Sequence, residues 1–251
     1  MKPRAAAAPA IDISVVVPCL NEAHNLRALL RLLDEAAARF GGSVEVIVVD
    51  GGSVDGTPEA VRSASPKFLR CVRLAATLAS RAQQMNAGAQ TARGGTLYFV
   101  HADTRPPLSC LRDVALAVGA GAALGTFATE FEGGSRLLRF NAALTTFNVL
   151  ATRGGDQSIF IETDAFRGLG GYDAEMAIME EYDLMRRARR SGHVRVLLRG
   201  RTLVSDRKYA GRSWARVQVA NVVAVAMWRL GRGTAAIASS YARLLGEGSA
   251  R

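Results

Sequence analysis

Acidic side chains in this chain recur just past apolar runs. Residues 97–104 read Leu-Tyr-Phe-Val-His-Ala-Asp-Thr, an apolar run with the pattern of a buried strand that stops on polar residues. In an open α/β sheet ligands collect at the carboxyl ends of strands, and a carboxylate there, Asp103, can hold a divalent cation against a diphosphate. A second run, 44–49, ends in Asp50-Gly-Gly-Ser-Val-Asp-Gly-Thr57, a polar, glycine-rich loop. A third, 13–17, ends at Pro18 and leads into Asn21-Glu22. Farther on, Glu180-Glu181 opens a helix, and Arg207-Lys208 follows the last expected strand. A guanidinium fork matches phosphate oxygens, so this pair suits closure over a diphosphate; a solvated basic face explains it equally well.

These groups need elements to hold them. Pro18 cannot continue a central ladder, so the first strand is expected to end at Val17. Leu26, Leu29, Leu30, Leu33, Ala37 and Phe40 recur at three and four residues, the spacing of an amphipathic helix, which Gly41-Gly42 closes. A weaker strand over 68–74, a helix over 80–91 and the strand over 97–100 follow. The order β-α-β-α-β-α-β predicts a doubly wound, mostly parallel sheet. Beyond Pro106-Pro107 the patterns predict a helix to about 118, a strand exposed on one face over 126–131 and a helix over 136–152. A short strand over 157–161, a brief helix from Thr163 and a helix over 180–191 come next. Two short strands, 194–198 and 202–204, precede helices over 213–229 and 234–245. The chain thus divides into a loose tail (1–10), an α/β domain (11–210) and a C-terminal helical appendage (211–251).

The chain has 251 residues, 49% of them hydrophobic, enough for one full-sized core. Cys19, Cys71 and Cys110 are odd in number and widely spaced, unlike a disulfide framework or metal knuckle, which fits a reducing, cytoplasmic compartment. No signal-peptide core is apparent near residue 1. Residues 186–216 hold eleven arginines or lysines and one acid, Asp206, an excess equal to the whole formal net charge of +10. Such a field attracts nucleic acid, phospholipid or a small anion without choosing among them. With 29 arginines against three lysines, part of it is compositional bias. Residues 217–228 are uncharged between Arg216 and Arg229, too few to span a bilayer. That helix suits a membrane interface, a homodimer face or packing on the sheet.

Together, Val-Val-Val-Pro-Cys-Leu-Asn-Glu (15–22), Val-Ile-Val-Val-Asp-Gly-Gly-Ser-Val-Asp-Gly-Thr (46–57), Gln-Met-Asn-Ala-Gly-Ala (84–89) and His-Ala-Asp-Thr (101–104) resemble family 2 glycosyltransferases of the GT-A fold. With Gly155-Asp-Gln157 and Met179-Glu-Glu-Tyr-Asp-Leu184 the chain is most similar to the branch called radical-SAM/selenodomain-associated transferase 2. The resemblance covers about residues 11–230 and implies a Rossmann-like, mostly parallel sheet and an inverting transferase. Its donor would be a nucleotide-diphosphate sugar, and its acceptor a hydroxyl, open to being lipid-linked.

By the same resemblance the nucleotide lies against Pro18, Asn21, Glu22, Asp50, Arg81, Asn86, His101 and Ala102. A carboxylate can accept from a pyrimidine imide and from ribose hydroxyls; Asp50 could equally cap its glycine turn. The histidine stands where the family's DxD motif has its first acid, so Mg2+ or Mn2+ falls to Asp103. His101 itself is a metal ligand, a ribose contact or a backbone partner. Glu181 takes the general-base position one methylene longer than the usual aspartate, with Glu180 the alternative and plain helix capping the bland one. Gly88 permits close packing. Asp156 and Gln157 lie on the acceptor side, and Arg207 and Lys208 over the diphosphate.

Other classes fit less well. A sugar-phosphate nucleotidyltransferase needs a long glycine-rich signature after its first strand, which residues 18–22 lack. A nucleic-acid-binding module would need aromatics or a recognition motif within the basic field. A degenerate carbohydrate-binding remnant would follow if the glutamate at 181 abolished turnover. The basic field fits anionic lipid, and with it a position at the inner face of a membrane.

Overall fold

The computed structural model describes residues 11–77, 80–133, 135–145 and 158–246. Strand β1 (Ile11–Cys19), helix α1 (Ala23–Phe40), strand β2 (Val44–Asp50), helix α2 (Thr57–Arg62), strand β3 (Cys71–Ala76), helix α3 (Arg81–Thr91) and strand β4 (Gly94–Phe99) make the expected alternation. Then come β5 (Thr104–Arg105), α4 (Cys110–Gly119), β6 (Leu124–Phe131), α5 (Arg136–Leu144), β7 (Ile159–Glu162), α6 (Thr163–Gly168), α7 (Glu180–Arg190) and β8 (Arg195–Val204). A single 3-10 turn (Arg207–Tyr209) leads into α8 (Trp214–Arg229) and α9 (Thr234–Leu245).

Among the described residues the strands form one sheet in the order β3-β2-β1-β4-β7-β6-β8-β5. The β3-β2-β1-β4 half is parallel, β7 runs antiparallel between β4 and β6, and β8 pairs parallel with β6. Alternation along the strands builds two cores. Val15, Val17, Val46 and Val48 meet α1 through Leu26, Leu29, Leu30 and Leu33 on one face. Val16, Ile47, Val49, Leu97 and Phe99 meet α3, α6 and α7 through Met85, Phe166 and Leu184 on the other. A Cβ on Gly88 would lie 2.4 Å from a Val16 methyl, so α3 can approach β1 this closely only with glycine there.

Several expectations are corrected. β1 does not stop at Val17; Pro18 pairs with Val49 and Cys19 with Asp50. The Val16 carbonyl faces β4, accepting from the Val100 N–H, and the residue two further on faces the same side, past the end of β4 at Phe99. No ladder donor is therefore lost at Pro18. β3 begins later than expected, at Cys71, because the Lys67, Phe68 and Leu69 amides donate to the Asp34 carboxylate instead of to a strand. β6 is not half-exposed: Thr126 and Thr129 are buried, with the Thr126 hydroxyl accepting from Arg195 and the Thr129 amide donating to Thr145. The two short strands expected over 194–204 are one, β8, which absorbs an irregularity where Leu198 and Arg201 follow each other opposite Phe127 and Ala128.

Helix α8 does not pack on the sheet. Ala224 and Trp228 meet Ile237 of α9 and Met179 at the start of α7, while Val217 and Ala220 meet Leu245. Among the described residues no helix is long and apolar enough to cross a membrane.

Candidate active site

The carboxyl ends of β1, β2 and β4 are tied to one another before any ligand is considered. Asn21, in a left-handed conformation (φ 55°), donates its amide to the Ser53 hydroxyl and accepts from the Val54 amide. Asp55 accepts from the Ala23 amide, and Thr57 from that of Glu22, so the loop after β2 caps the first turn of α1. Hydrogen bonds from Thr57 and Ala23 hold the Asp55 carboxyl below the usual carboxylate range. Asp50 accepts from the amides of Gly52 and Ser53 and from the Ser53 hydroxyl, and so caps its own turn. Beneath both loops the Gln84 amide donates to the Cys19 and Val49 carbonyls, each at 2.8 Å. Gln84 was expected only as part of a motif. The signal for its role was its i,i+4 relation to Gly88, which turns it toward the sheet.

Two charge clusters stand on this platform. In the first, Arg207 Nη2 lies 2.6 Å from Glu22 Oε1 and 2.8 Å from Asp103 Oδ2, bridging the ends of β1 and β4. In the second, Glu180 and Glu181 open α7 after Met179, whose left-handed backbone starts the helix. Arg81 Nη1 is 3.2 Å from Glu180 Oε1, and His101 Nε2 is 3.6 Å from Glu181 Oε1, too long for a hydrogen bond and an ion pair only when the imidazole carries its second proton. His101 and Asp103 share one turn, closed by the Thr104 amide and hydroxyl on the His101 carbonyl.

Both glutamates are buried, and Glu180 Oε2 and Glu181 Oε1 have no hydrogen-bond partner among the described residues. Burial, then the charge of Glu181, raises the Glu180 carboxyl above its ordinary value, against the pull of Arg81. Burial would raise Glu181 as well, but His101 and Arg81 outweigh it and hold Glu181 low and ionised. The α7 N-terminus favours the same charge. The two glutamates line a groove of about 1270 Å³, whose walls also include Arg81, Asp103 and Arg207 and, from α8, Asn221 and Val225.

Some of the expected residues are engaged by the protein itself. Both ends of the Asn86 amide are taken up by the Tyr172 backbone, at 2.7 and 2.9 Å, so it clamps the loop before α7 rather than facing a nucleotide. Tilted and edge-to-face contacts among the Phe99, Phe166 and Tyr172 rings hold that loop from the other side. The side chains of Pro18 and Ala102 are buried, Ala102 within the core. Lys208 donates to Asn221 Oδ1 and lies over the Tyr241 ring, which directs it to the C-terminal helices instead of to the bridge that Arg207 makes. Asp156 and Gln157 lie outside the described residues.

Asp103 offers a single carboxylate, and among the described residues no three His, Cys, Asp or Glu side chains converge as an ion cage. That donor set fits Mg2+ or Mn2+ arriving with phosphate oxygens and water, not a resident ion held by protein alone.

Comparison with known proteins agrees with this geometry. Residues 14–170 match the family described as Glycosyl transferase family 2. Over 194 residues the chain is 28% identical to succinoglycan biosynthesis protein ExoA of Rhizobium meliloti (strain 1021), covering 71% of this chain and 58% of that one. Over 99 residues it is 33% identical to the undecaprenyl-phosphate 4-deoxy-4-formamido-L-arabinose transferase of Aeromonas hydrophila, covering 38% of this chain and 30% of that one. The chain therefore spans little more than half, and less than a third, of these relatives. The fold is shared with the mannosyltransferase PcManGT of Pyrobaculum calidifontis, solved with GDP-Man and Mn2+ (TM-score 0.67, 20% identity, 95% of this chain and 72% of that one). It is shared too with residues 1–349 of S. aureus TarS, solved with UDP-GlcNAc (TM-score 0.65, 15% identity, 94% and 72%). The chain belongs to glycosyl transferase family 2 and has the GT-A fold.

Proposed function

We propose that this protein is a hexosyltransferase that moves a sugar from a nucleotide-diphosphate donor to an acceptor hydroxyl, with inversion and with Mg2+ or Mn2+ held at Asp103. The carrying observation is the pair of buried glutamates, each with an oxygen that has no hydrogen-bond partner among the described residues, in the groove that Asp103 and Arg207 also line. The relatives support the donor class: one neighbour was solved with GDP-Man and Mn2+, another with UDP-GlcNAc. The motifs at 101–104 and 179–184 favour the radical-SAM/selenodomain-associated transferase 2 branch.

In this reading Glu22 and Asp50 receive the nucleoside, since both stand at strand ends and carboxylates accept from imide and ribose groups. A cation bound at Asp103 supplies charge neutralisation for the departing diphosphate. Glu181 accepts the acceptor hydroxyl's proton, because it is the glutamate the site keeps ionised. Glu180, anchored on Arg81 of the helix facing the nucleotide, fixes the start of α7. Asn86 acts at one remove, by holding the loop that leads into Glu180.

The groove is walled in part by α8, whose outward stripe exposes Val219 and Val222 beside Arg216 and Arg229, with Leu230 and Arg232 exposed just beyond its last turn. Val222 and Arg229 belong both to that stripe and to the groove wall. We therefore assign the protein to the cytoplasmic face of an anionic membrane and its acceptor to a lipid-borne class, in line with the undecaprenyl-phosphate named for one relative.

The test is incubation of the full chain with UDP- and GDP-sugars, Mn2+ and lipid-borne acceptors, following nucleoside diphosphate release and the anomeric configuration of the product. Inverted product from one donor is expected. A retained configuration, or no turnover with any sugar nucleotide, would overturn the reading.

A further inference from the structure

Arg207 occupies a position that a diphosphate-binding arginine has no need to occupy. One nitrogen of its guanidinium touches both Glu22 and Asp103, at 2.6 and 2.8 Å. Its side chain is still 57% exposed and is carried on a single 3-10 turn after β8, so few packing contacts fix it there. Glu22 is held independently by Asn25, at 2.6 Å, so its carboxylate stays in place whether or not the arginine is present. Asp103 makes no other ion pair among the described residues.

Two carboxylates brought together at two strand ends repel each other, and a cation between them relieves that repulsion. Arg207 supplies the cation in the ligand-free protein. We propose that Arg207 is a placeholder for the divalent cation, and that it leaves Asp103 more readily when a diphosphate offers it another anion, so that metal and nucleotide bind as a coupled pair. The inference rests on the donor-site reading above and adds the residue that enforces the coupling.

The charge balance explains the direction. A metal ion alone at Asp103 strands Arg207 without its second carboxylate, so binding pays for a broken ion pair. A metal ion arriving with a diphosphate replaces Arg207 at Asp103 and gives the guanidinium two phosphate oxygens to fork onto. Each ligand therefore improves the other's affinity, and by linkage the improvement is the same in both directions.

The experiment measures Mn2+ binding by electron paramagnetic resonance of the free ion, using the full chain alone and with UDP or GDP. It compares the unaltered protein with Arg207→Gln and Arg207→Lys. The unaltered protein is expected to bind Mn2+ weakly alone and at least about fivefold more tightly with one of the nucleotides, the low end of ordinary coupling. Arg207→Gln should bind Mn2+ alone more tightly by up to about fivefold, the range an exposed ion pair allows, and its gain from nucleotide should shrink by the same factor. Arg207→Lys should keep most of that gain. If a nucleotide binds both proteins but Arg207→Gln takes up Mn2+ alone no better than the unaltered chain, the placeholder role falls and the donor site stands. If neither UDP nor GDP binds under any condition, the donor-site reading falls and the coupling with it.

Discussion

Glu181→Gln isolates the proton transfer. Glutamine keeps the volume of a side chain that is buried beside His101 and cannot accept a proton, so packing survives while basicity is lost. General-base catalysis contributes roughly 10²–10⁴-fold, so kcat is expected to fall by about that factor, or roughly 3–5 kcal/mol on the barrier. Donor KM should hold within about threefold, because the donor contacts assigned above lie at Glu22, Asp50 and Asp103. Glu180 will not take over. Its carboxyl is raised partly by the Glu181 charge, and once that charge is gone the pull of Arg81 makes Glu180 a weaker base. Glu180→Gln should cost less, at most about tenfold, through the loosened contact with Arg81. In the unaltered protein kcat/KM should rise with pH through the Glu181 value, and that limb should lie below the ordinary glutamate range because the site holds Glu181 low. The assay is nucleoside diphosphate release at saturating donor, with melting temperature as the fold control. Should Glu181→Gln keep more than about a tenth of kcat, or Glu180→Gln keep less than that, the assignment of the base is wrong.

Other consequences lie away from the reacting atoms. Glu45 is fully buried between β1 and β3 and accepts from Ser14, from the Arg93 amide and from the guanidinia of Arg73 and Arg93. Glu45→Gln should cost about 2–3 kcal/mol, less than a fully buried pair because both arginines are partly exposed, read as a lower urea midpoint. Burial would raise this carboxyl, but Ser14 and Arg93 hold it below its ordinary value. Its contribution is thus complete above the unfolded value, near 4.5, and the gap between the two proteins should close as pH falls through the lower folded one. Gly88→Ala should destabilise by about 1–3 kcal/mol, since the new methyl meets Val16 in a rigid core; an unchanged melting temperature would mean α3 sits farther from the sheet. The full chain should sediment with anionic vesicles and not with neutral ones, and Val219→Glu should weaken that binding. Equal sedimentation of both proteins would remove α8 from the membrane contact.

Local pattern told most about the strands and helices, because a two-residue or four-residue period reports which side of an element is buried. Leu26, Leu29, Leu30 and Leu33 announced the buried face of α1, and the acids at positions 22, 50 and 103 announced that strand ends would meet. What failed was information carried by distant residues. Pro18 looked like a stop until β4 proved to end before its level. The threonines of β6 looked solvent-facing until Arg195 and Thr145 proved to satisfy them. Asn86 looked like a ligand contact, but its partner is Tyr172, 86 residues away, and the bridge from Arg207 to Glu22 spans 185. No spacing rule reaches that far, so the chemistry of these residues was legible while their partners were not.

The claim that organises the rest is that Asp103 anchors the metal of a sugar-nucleotide site. It is tested most directly by following nucleoside diphosphate release from UDP- and GDP-sugars by the full chain and by Asp103→Asn, with Mn2+ and with chelator. The account predicts turnover of one donor that chelator abolishes and that Asp103→Asn lacks, with the melting temperature of the variant close to that of the unaltered protein because only one exposed ion pair is lost. Turnover that persists in Asp103→Asn, or that is indifferent to chelator, would contradict it.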